Sequence, residues 1–341
     1  MGGHAPERLT AASVWFPRAR EVEIRDETVG APSAGEIRVH AIASGLSHGT
    51  EMLVFRGEAP QDLALDLPTL AGSYAFPIKF GYASVGRVVA TGAGVADLTP
   101  GDHVFVHHPH QQEYVVSAAA AARLPPRLPP ELGVFLASCE TALNVVLDAH
   151  PRLEEEVVVI GQGVVGLLVT QLLQRAGASV TAVEPLALRR ALALRCGADE
   201  AVAPGDAPGR IATRTNGRGA DIVIEASGNA RALQLAIDSA AFQASVIVCS
   251  WYGTKRVNLD LGSRFHRARL RIISSQVSQL DPALAPRWDR QRRLDIARAL
   301  LDELVLAPLI THRIPFGRAA EAYDLVDQHP EETVQVILTY D

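Results

Sequence analysis

The chain has 341 residues, 48% of them hydrophobic, which is enough for two domain cores rather than one. Its formal net charge of -6 and its lack of a basic tract exclude nucleic acid and an anionic membrane surface as expected partners. No apolar run approaches the roughly 20 residues that cross a bilayer. Residues 1–13 lack the pattern of a signal peptide. We therefore expect a soluble, cytoplasmic protein.

The three cysteines, Cys139, Cys196 and Cys249, are odd in number and far apart in the chain. They form no C-x-x-C pair and no Cys/His spacing typical of a zinc knuckle or ribbon. We expect reduced thiols that are mostly buried.

Short strands separated by turns are predicted in the first third of the chain. Residues 36–45 alternate apolar and polar side chains, and residues 81–95 predict a pair of strands around glycines. Two more runs, 101–106 and 112–116, are bounded by turn residues. A proline-rich passage at 123–130 then interrupts regular structure. These features predict a small, twisted β domain that ends near residue 121.

Apolar strands alternate with helical segments in the middle of the chain. This rhythm is typical of a parallel sheet that helices cover on both faces, so we expect an α/β fold with one doubly wound domain. The closing segment gives a helix, a strand, a helix and a last strand, which we expect to return to the first domain. The predicted domains are 1–121, 122–283 and 284–341. The predicted strands of the middle domain are 157–160, 179–184, 200–203, 221–227 and 245–250.

Three glycines in six residues, GQGVVG, stand between the first strand of the middle domain and an apolar helix. In this G-x-G-x-x-G context the unpaired N–H groups of the helix N-terminus can bind a pyrophosphate. Gly161 permits the turn, Gly163 lets the phosphate approach, and Gly166 lets the helix pack on the strand. We therefore predict a dinucleotide site that includes Val164 and Val165, rather than a purely structural turn.

An acidic residue at the end of the next strand indicates which dinucleotide is preferred. Glu184 lies roughly 20 residues after the glycines, where a carboxylate accepts hydrogen bonds from the adenosine ribose hydroxyls. A 2′-phosphate would meet a like charge there, so we expect NAD rather than NADP. Arg189 and Arg190 keep NADP open as an alternative, because an arginine beside the ribose can receive that phosphate.

Over nearly its whole length the chain resembles the medium-chain dehydrogenase/reductase superfamily of alcohol dehydrogenases and quinone oxidoreductases. Residues 81–104 resemble the family's GHE-x-x-G-x-V passage leading to GDxV, and residues 44–57, SGLSHGTEMLVFRG, resemble its G-x-C-x-[ST]-D segment. CETALNVV and ALRRALALRCGADEAV resemble two of its helices. The resemblance implies a GroES-like β-rich catalytic domain built from both chain ends and a Rossmann domain between them. It also implies hydride transfer between a nicotinamide and a carbonyl or alcohol, and a homodimer paired through the edge of the nucleotide sheet.

More weakly, the GTE, FGY and PHQ segments resemble bacteriochlorophyllide dehydrogenase and its relatives in secondary metabolism. On the cofactor side, the resemblance places Thr141 on a helix that meets the nicotinamide. Ser227 ends a parallel strand, and such ends face the ligand crevice. Trp251 or Tyr252 ends the next strand and is expected near the nicotinamide, with a core or subunit contact as the alternative.

Zinc-binding members of the superfamily hold catalytic zinc with a cysteine, a histidine and a third cysteine or acidic residue, and this chain departs from that pattern. Tyr82 stands at the histidine position, and Ser47 or, in another register, His48 stands at the cysteine position. Glu140 lies near the third position but out of clear register. Catalytic zinc needs about three protein ligands, and the four-cysteine loop is reduced to HHPHQQ. We therefore predict an enzyme without zinc.

The histidines of this short loop, His107, His108 and His110, form the one cluster that argues for a metal. Because consecutive strand residues point to opposite faces, we expect a solvated turn rather than a metal site.

Without zinc, another group has to stabilise the developing alkoxide, and Tyr82 is the expected general acid. Lys79, one of two lysines in the chain, stands three residues earlier, and its ammonium would favour the phenolate. The alternative is that Tyr82 packs and Lys79 faces solvent, since strand residues three apart face opposite sides. Ser47 adds a hydroxyl at the former ligand position.

His48 and Thr50 are the predicted proton relay from the alcohol oxygen to the nicotinamide ribose. Thr50 matches the family's relay hydroxyl. The reference pKa of histidine, about 6.5, suits a proton shuttle at neutral pH, and an ordinary loop histidine is the alternative for His48. Glu51 matches the family's supporting aspartate and is given no chemical step. His110 is expected to line the substrate cleft.

The favoured function is zinc-independent hydride transfer between NAD(H) and a small-molecule secondary alcohol or ketone. One alternative is NAD(P)H-dependent reduction of an activated double bond, as in enoyl and quinone reductases. The other is a catalytically silent nucleotide-binding protein. Residues 44–57 are more similar to the alcohol dehydrogenase version of that segment, which favours the first function.

Overall fold

The computed structural model describes residues 9–65, 69 and 72–341, which form two compact units. The terminal unit contains the described residues up to Ala137 together with Ile310–Asp341, and the middle unit is Ser138–Leu309. The unit boundaries lie after residues 137 and 309, later than the predicted 121 and 283.

The elements are numbered in chain order. Those up to the start of the middle unit are β1 (Leu9–Trp15), β2 (Glu23–Val29), β3 (Glu36–Gly45), α1 (Thr50–Phe55), β4 (Ser84–Thr91), β5 (His103–Val106), β6 (Glu113–Ser117), β7 (Ala121–Arg123) and α2 (Leu136–Ala149). The rest are β8 (Glu156–Ile160), α3 (Val164–Arg175), β9 (Ser179–Val183), α4 (Ala187–Arg195), β10 (Glu200–Val202), α5 (Ala207–Arg214), β11 (Ala220–Glu225), α6 (Ala230–Ser239), β12 (Ala240–Val248), β13 (Arg271–Ser274), α7 (Arg290–Leu300), β14 (Ile310–Pro315), α8 (Ala319–Gln328) and β15 (Gln335–Thr339).

A seven-stranded sheet forms the terminal unit, with the order β14-β15-β3-β4-β5-β7 and with β6 also paired to β3. A separate hairpin, β1–β2, was not predicted. The expected strand pair at 81–95 is wrong, because only β4 forms there. Gly86 lets β4 lie close to β3, since a Cβ at this residue would be 2.5 Å from the His40 carbonyl oxygen.

Six parallel strands form the sheet of the middle unit, in the order β10-β9-β8-β11-β12-β13. Each of the five predicted strand runs overlaps one of them, and the doubly wound α/β architecture is confirmed. The strands are buried along most of their length, as expected for strands covered on both faces. β13 is the sixth strand and was not predicted.

The boundaries lie later than predicted because of two packing contacts. Before α2, residues 130–135 form a short helix in the terminal unit, and Val134 lies against Gly45 of β3. The amphipathic helix α7, expected to return to the first domain, instead belongs to the middle unit. There it packs on α2, where the Cys139 thiol donates to the Ala297 carbonyl at 3.5 Å.

By length and composition, the helical stretch Pro130–Ala149 could cross a membrane, contrary to the expectation that no run approaches that length. Of its apolar 18-residue window, 61% is buried inside the fold, as is usual for a core helix. Cys139 and Cys196 are buried free thiols, and Cys249 is a half-buried one.

Candidate active site

Three hydroxyl groups meet in the terminal unit between β3 and β4. Ser47 lies two residues after β3, Thr50 begins α1, and Tyr82 lies two residues before β4. The Tyr82 hydroxyl donates a hydrogen bond to Ser47 Oγ at 2.5 Å, and the Thr50 side chain also bonds to the phenol. Half-buried His48 stands beside them and stays a predicted relay residue. The structure therefore brings together the residues at the two former ligand positions.

The environment of Tyr82 keeps its proton in place. Burial raises the pKa of Tyr82 to about 12, and the negative charge of Glu51 adds to the shift. Hydrogen bonds with Ser47 and Thr50 act in the opposite direction but do not outweigh burial. The group is therefore a neutral phenol at physiological pH, which suits a proton donor.

Lys79 does not pair with Tyr82, so the predicted Tyr–Lys pair is wrong. The Lys79 ammonium donates to Glu27 Oε2 at 2.7 Å and to Gln111 Oε1 at 2.8 Å. Burial works against ionisation of Glu27, but hydrogen bonds from Lys79 and Ser13 outweigh it and lower the Glu27 pKa. A carboxylate thus holds the ammonium, and the pKa of the phenol rises instead of falling.

The histidine loop is not the solvated turn that was expected. His108 is 7% exposed and its ring stacks on Tyr114 at 3.7 Å, while His110 is fully buried. Burial lowers the pKa of His108 to about 3, so this ring is neutral. The loop is covered because its backbone pairs with β1, where Val14 N donates to the His110 carbonyl at 2.9 Å.

His110 belongs to a buried polar cluster instead of a cleft. Its Nε2 lies 2.8 Å from Glu51 Oε1, and its Nδ1 lies 2.6 Å from Ser44 Oγ. Glu51 also accepts hydrogen bonds from the Tyr323 hydroxyl and, at 3.0 Å, from the Ser47 backbone N–H. The prediction that His110 lines the substrate cleft is therefore wrong.

Glu140, near the third position of the family's zinc site, is engaged within the middle unit. Arg293 of α7 donates to Glu140 Oε1 through Nε at 3.1 Å and Nη2 at 2.9 Å. Arg293 is 2% exposed and also donates to Asn144 Oδ1 at 2.6 Å. This carboxylate therefore balances a buried guanidinium.

The glycine-rich turn has the geometry that a pyrophosphate needs. Gly161 has φ +93°, and a Cβ there would lie 2.6 Å from Ser227 Cα. A Cβ at Gly166 would lie 1.9 Å from the Gly161 carbonyl oxygen, whereas a Cβ at Gly163 would meet nothing within 4 Å. No side chain caps the N-terminus of α3. Val164 and Val165 form its half-buried first turn, so the residues fit a bound phosphate.

Glu184 lies directly after β9 and holds the same turn. Its Oε2 accepts from Gln162 N at 2.7 Å, and its Oε1 accepts from Leu186 N at 3.1 Å. Glu184 is 3% exposed, and each carboxylate oxygen keeps one lone pair beyond these bonds. Arg190 donates to the backbone carbonyls of Glu184 and Pro185 at 2.8 and 2.6 Å. Burial lowers the pKa of Arg189, which the charge of Glu184 opposes.

A groove of about 710 Å³ opens beside Arg190, beyond the end of β10. Its size suits part of a nucleotide. It is lined by Arg190, Ala201, Val202, Ala203, Gly205, Asp206, Gly209, Arg210 and Thr213.

Two loops at the carboxyl ends of β11 and β12 are joined by a buried carboxylate. Glu225 accepts from Ser227 N at 2.8 Å and Ser227 Oγ at 2.5 Å, and from the Tyr252 hydroxyl at 2.7 Å. Ser227 and Tyr252 are therefore held on this rim, where the sequence predicts a cofactor site. Trp251 precedes Tyr252 and is half-buried. Thr141 lies half-buried in α2.

Sequence reasoning missed Glu225 and the partners of Glu51. Glu225 had a local signal, since it is an acidic residue at the end of the apolar run DIVIE. Tyr323 had none, because it is 272 residues from Glu51.

Comparison with known proteins places this architecture in a family. Residues 164–288 match the family described as "Zinc-binding dehydrogenase". The chain is 30% identical to D-guloside 3-dehydrogenase of Escherichia coli (strain K12), over 94% of this chain and 96% of the relative. The chain is a medium-chain dehydrogenase/reductase. It is accordingly an oxidoreductase of the alcohol dehydrogenase type.

Other members of the superfamily align over similar lengths. A 2-desacetyl-2-hydroxyethyl bacteriochlorophyllide A dehydrogenase of Rhodobacter capsulatus is 28% identical over 88% of this chain and 89% of its own. The crystal structure of galactitol-1-phosphate dehydrogenase from Escherichia coli superposes with a TM-score of 0.77 at 25% identity, covering 96% of this chain and 99% of that one.

The donors at the zinc positions of this superfamily do not fit a catalytic zinc ion. Zinc in proteins is held by cysteine, histidine and carboxylate side chains. Here Tyr82 at the histidine position bonds to Ser47, which is one of the two candidates for the cysteine position, the other being His48. Glu140 is bound by Arg293, so at most two donors remain. Within the described ranges, one group of histidine, cysteine and carboxylate side chains is close enough to share a metal ion. It is exposed, lies near the C-terminus and consists of His329, Glu331 and Glu332.

Proposed function

We propose that the protein is a zinc-independent, NAD-dependent dehydrogenase that interconverts a secondary alcohol and a ketone. The 2.5 Å bond between Tyr82, at the position of the histidine ligand, and Ser47, at one register of the cysteine ligand, carries this proposal. A carbohydrate hydroxyl is the favoured substrate, because similar proteins are named as D-guloside and galactitol 1-phosphate dehydrogenases. A secondary hydroxyl of this kind oxidises to a ketone.

Tyr82 is the proton donor to the carbonyl oxygen in the reductive direction. Its pKa of about 12 keeps the proton available, and a positioned acid contributes roughly 10²- to 10⁴-fold to the rate. Ser47 accepts the phenol's hydrogen bond and holds the ring in one orientation. After transfer, Thr50 and His48 pass a new proton from solvent to the Tyr82 phenolate. A bound nicotinamide supplies or accepts the hydride.

NAD is the proposed cofactor, with NADP as the alternative. The Glu184 carboxylate stands beside the glycine turn, where it favours ribose hydroxyls over a phosphate. Equilibrium titration by nucleotide fluorescence tests this preference, and we expect NADH to bind at least about tenfold more tightly than NADPH, a difference of about 1.4 kcal/mol. Tighter binding of NADPH would overturn it.

The central experiment combines turnover with metal content. We expect glycosides, polyols or ketones to change the absorbance of the cofactor, and the purified protein to contain no stoichiometric zinc. Turnover only with enones would favour an enoyl or quinone reductase. Tight cofactor binding without any turnover would favour a silent nucleotide-binding protein.

Tyr82→Phe tests the proposed acid. Loss of the hydroxyl should lower kcat at least about 10²-fold while NADH affinity stays unchanged, because the nucleotide residues lie in the other unit. Lys79→Met is the matched control, since Lys79 binds Glu27 and not the phenol. Turnover of Tyr82→Phe within about tenfold of the parent, or zinc that remains after chelation, would refute the proposal.

We further propose a cytoplasmic homodimer that pairs through the edge strand β13. In support, β13 ends its sheet, and Ile272 on it and Phe242 on β12 are 37% and 64% exposed. Light scattering should give twice the chain's 36.4 kDa, and cell fractionation should leave the enzyme with the cytosolic proteins. The substrate is proposed to belong to secondary metabolism on the likeness to the bacteriochlorophyllide dehydrogenase.

A further inference from the structure

We propose that His110 is the positioning residue of the Ser47–Tyr82 pair, which it supports from both sides. It fixes Ser47 through Glu51 and fixes Tyr82 through Gly81. This inference rests on the proposed function, because it concerns the orientation of the Tyr82 proton donor.

The imidazole has no freedom to turn. It is 0% exposed, and both ring nitrogens are bonded, Nε2 to Glu51 and Nδ1 to Ser44. Ser44 Oγ is also 2.7 Å from the Tyr340 hydroxyl. One tautomer of the imidazole satisfies all three hydrogen bonds. Tyr340 donates to Ser44, Ser44 donates to Nδ1, and Nε2–H donates to the Glu51 carboxylate.

The first contact leads from His110 to Ser47. Glu51 Oε1 receives the imidazole at 2.8 Å, which leaves Oε2 to accept the Ser47 N–H at 3.0 Å. The Tyr323 hydroxyl also donates to Oε1, so the carboxylate is held by two side chains. The backbone of Ser47 is thereby fixed, and with it the Oγ that accepts the Tyr82 hydrogen bond.

The second contact leads from His110 to Tyr82. Gly81 has φ +122°, and a Cβ there would lie 2.7 Å from both Cδ2 and Nε2 of the His110 ring. The glycine directly before Tyr82 therefore lies close against the imidazole. A side chain at residue 81 would displace the ring.

His108 shows that this arrangement is more than the ordinary packing of a core histidine. It is two residues away and nearly as buried, yet its Nδ1 bonds to the adjacent Pro109 carbonyl and its ring stacks on Tyr114. None of these contacts leads to Ser47 or Tyr82. His108 is therefore a suitable control for His110 in the same loop.

The experiment compares His110→Phe with His108→Phe. Turnover is measured with whichever glycoside, polyol or ketone the parent enzyme converts fastest. NADH affinity is measured by fluorescence. For His110→Phe we expect kcat to fall on the order of 10²-fold, as for a misplacement of about 1 Å, with KM and NADH affinity within about threefold of the parent. For His108→Phe we expect kcat within about threefold of the parent, whatever its thermal stability.

Ser44→Ala keeps the inference testable where His110→Phe fails to fold. It removes the hydrogen bonds of Ser44 Oγ to His110 Nδ1 and to the Tyr340 hydroxyl but leaves the imidazole in place, and we expect a drop of about three- to tenfold in kcat at unchanged KM. An unchanged kcat in a folded His110→Phe enzyme, or in Ser44→Ala, would overturn the inference. So would an equal loss in both histidine variants.

The outcome separates this inference from the proposed function. If Tyr82→Phe keeps full turnover, the proposed acid falls and the inference falls with it. If Tyr82→Phe loses turnover while His110→Phe keeps it, only the role of His110 is refuted.

Discussion

Tyr82 differs from a zinc-bound group in the pH at which it releases a proton. Its pKa is raised to about 12 by burial, whereas water on a catalytic zinc ion titrates near 7. The phenol is therefore fully protonated in the neutral range. It is ready to donate in ketone reduction, but only a small fraction can accept a proton in alcohol oxidation.

This difference gives a pH prediction for alcohol oxidation. Below its pKa, the deprotonated fraction of a group rises tenfold per pH unit, so kcat/KM for oxidation should rise with a slope near one from about pH 7 to about pH 10. Ketone reduction should stay flat over the same range. Steady-state rates in both directions provide the measurement. A plateau of the oxidation rate near pH 8 would contradict the assignment of the Tyr82 phenol as the acid–base group.

The glycine turn and α3 act together as one element. Gly161 and Gly166 are required by close contacts within the protein, whereas the position of Gly163 is open and its φ of -72° suits any residue. Gly161 and Gly166 are thus needed for packing within the protein, whereas Gly163 leaves room for the ligand. A substitution at Gly163 can therefore affect ligand binding without affecting stability.

Gly163→Ala should weaken the binding of NADH at least about tenfold at unchanged thermal stability. The added methyl meets no protein atom within 4 Å but occupies the space at the α3 N-terminus where a phosphate would approach. Gly161→Ala is the matched control, and it should lower both affinity and melting temperature, because its methyl meets Ser227 at a positive φ. NADH fluorescence titration and thermal melts measure the two effects, and normal NADH affinity of Gly163→Ala would contradict the site.

Helix α7 belongs to the middle unit, and its contacts with α2 explain why that unit extends to residue 309. Arg293 on this helix neutralises Glu140 on α2 and is itself almost fully buried. Removing α7 would leave the Glu140 carboxylate without its cation and would remove the carbonyl of Ala297 to which the Cys139 thiol donates.

A fragment of residues 138–309 should therefore fold and bind NADH, whereas a fragment of residues 122–283 should not. The second fragment lacks α7 and carries a segment that packs in the terminal unit. Circular dichroism melts and NADH fluorescence of the two fragments are the measurements. Cooperative unfolding and NADH binding by the 122–283 fragment would show that the packing of α7 is dispensable.

The sequence by itself determined those features whose physical cause is local. Apolar strands separated by helical segments predicted the doubly wound sheet, because burial on both faces demands continuous apolar runs. The spacing of Gly161, Gly163 and Gly166 predicted the phosphate turn, because helix and strand approach there within six residues. The substitutions at Ser47 and Tyr82 were visible as departures from the family's motif.

Only the tertiary structure decided the partners of buried polar groups. Lys79 was assigned to a phenol three residues away but binds Glu27, 52 residues away. His110 was placed in a cleft but is held by Glu51 and Ser44, 59 and 66 residues away. A buried charge or imidazole must find a hydrogen-bond partner wherever the fold brings one, and chain distance does not limit that choice.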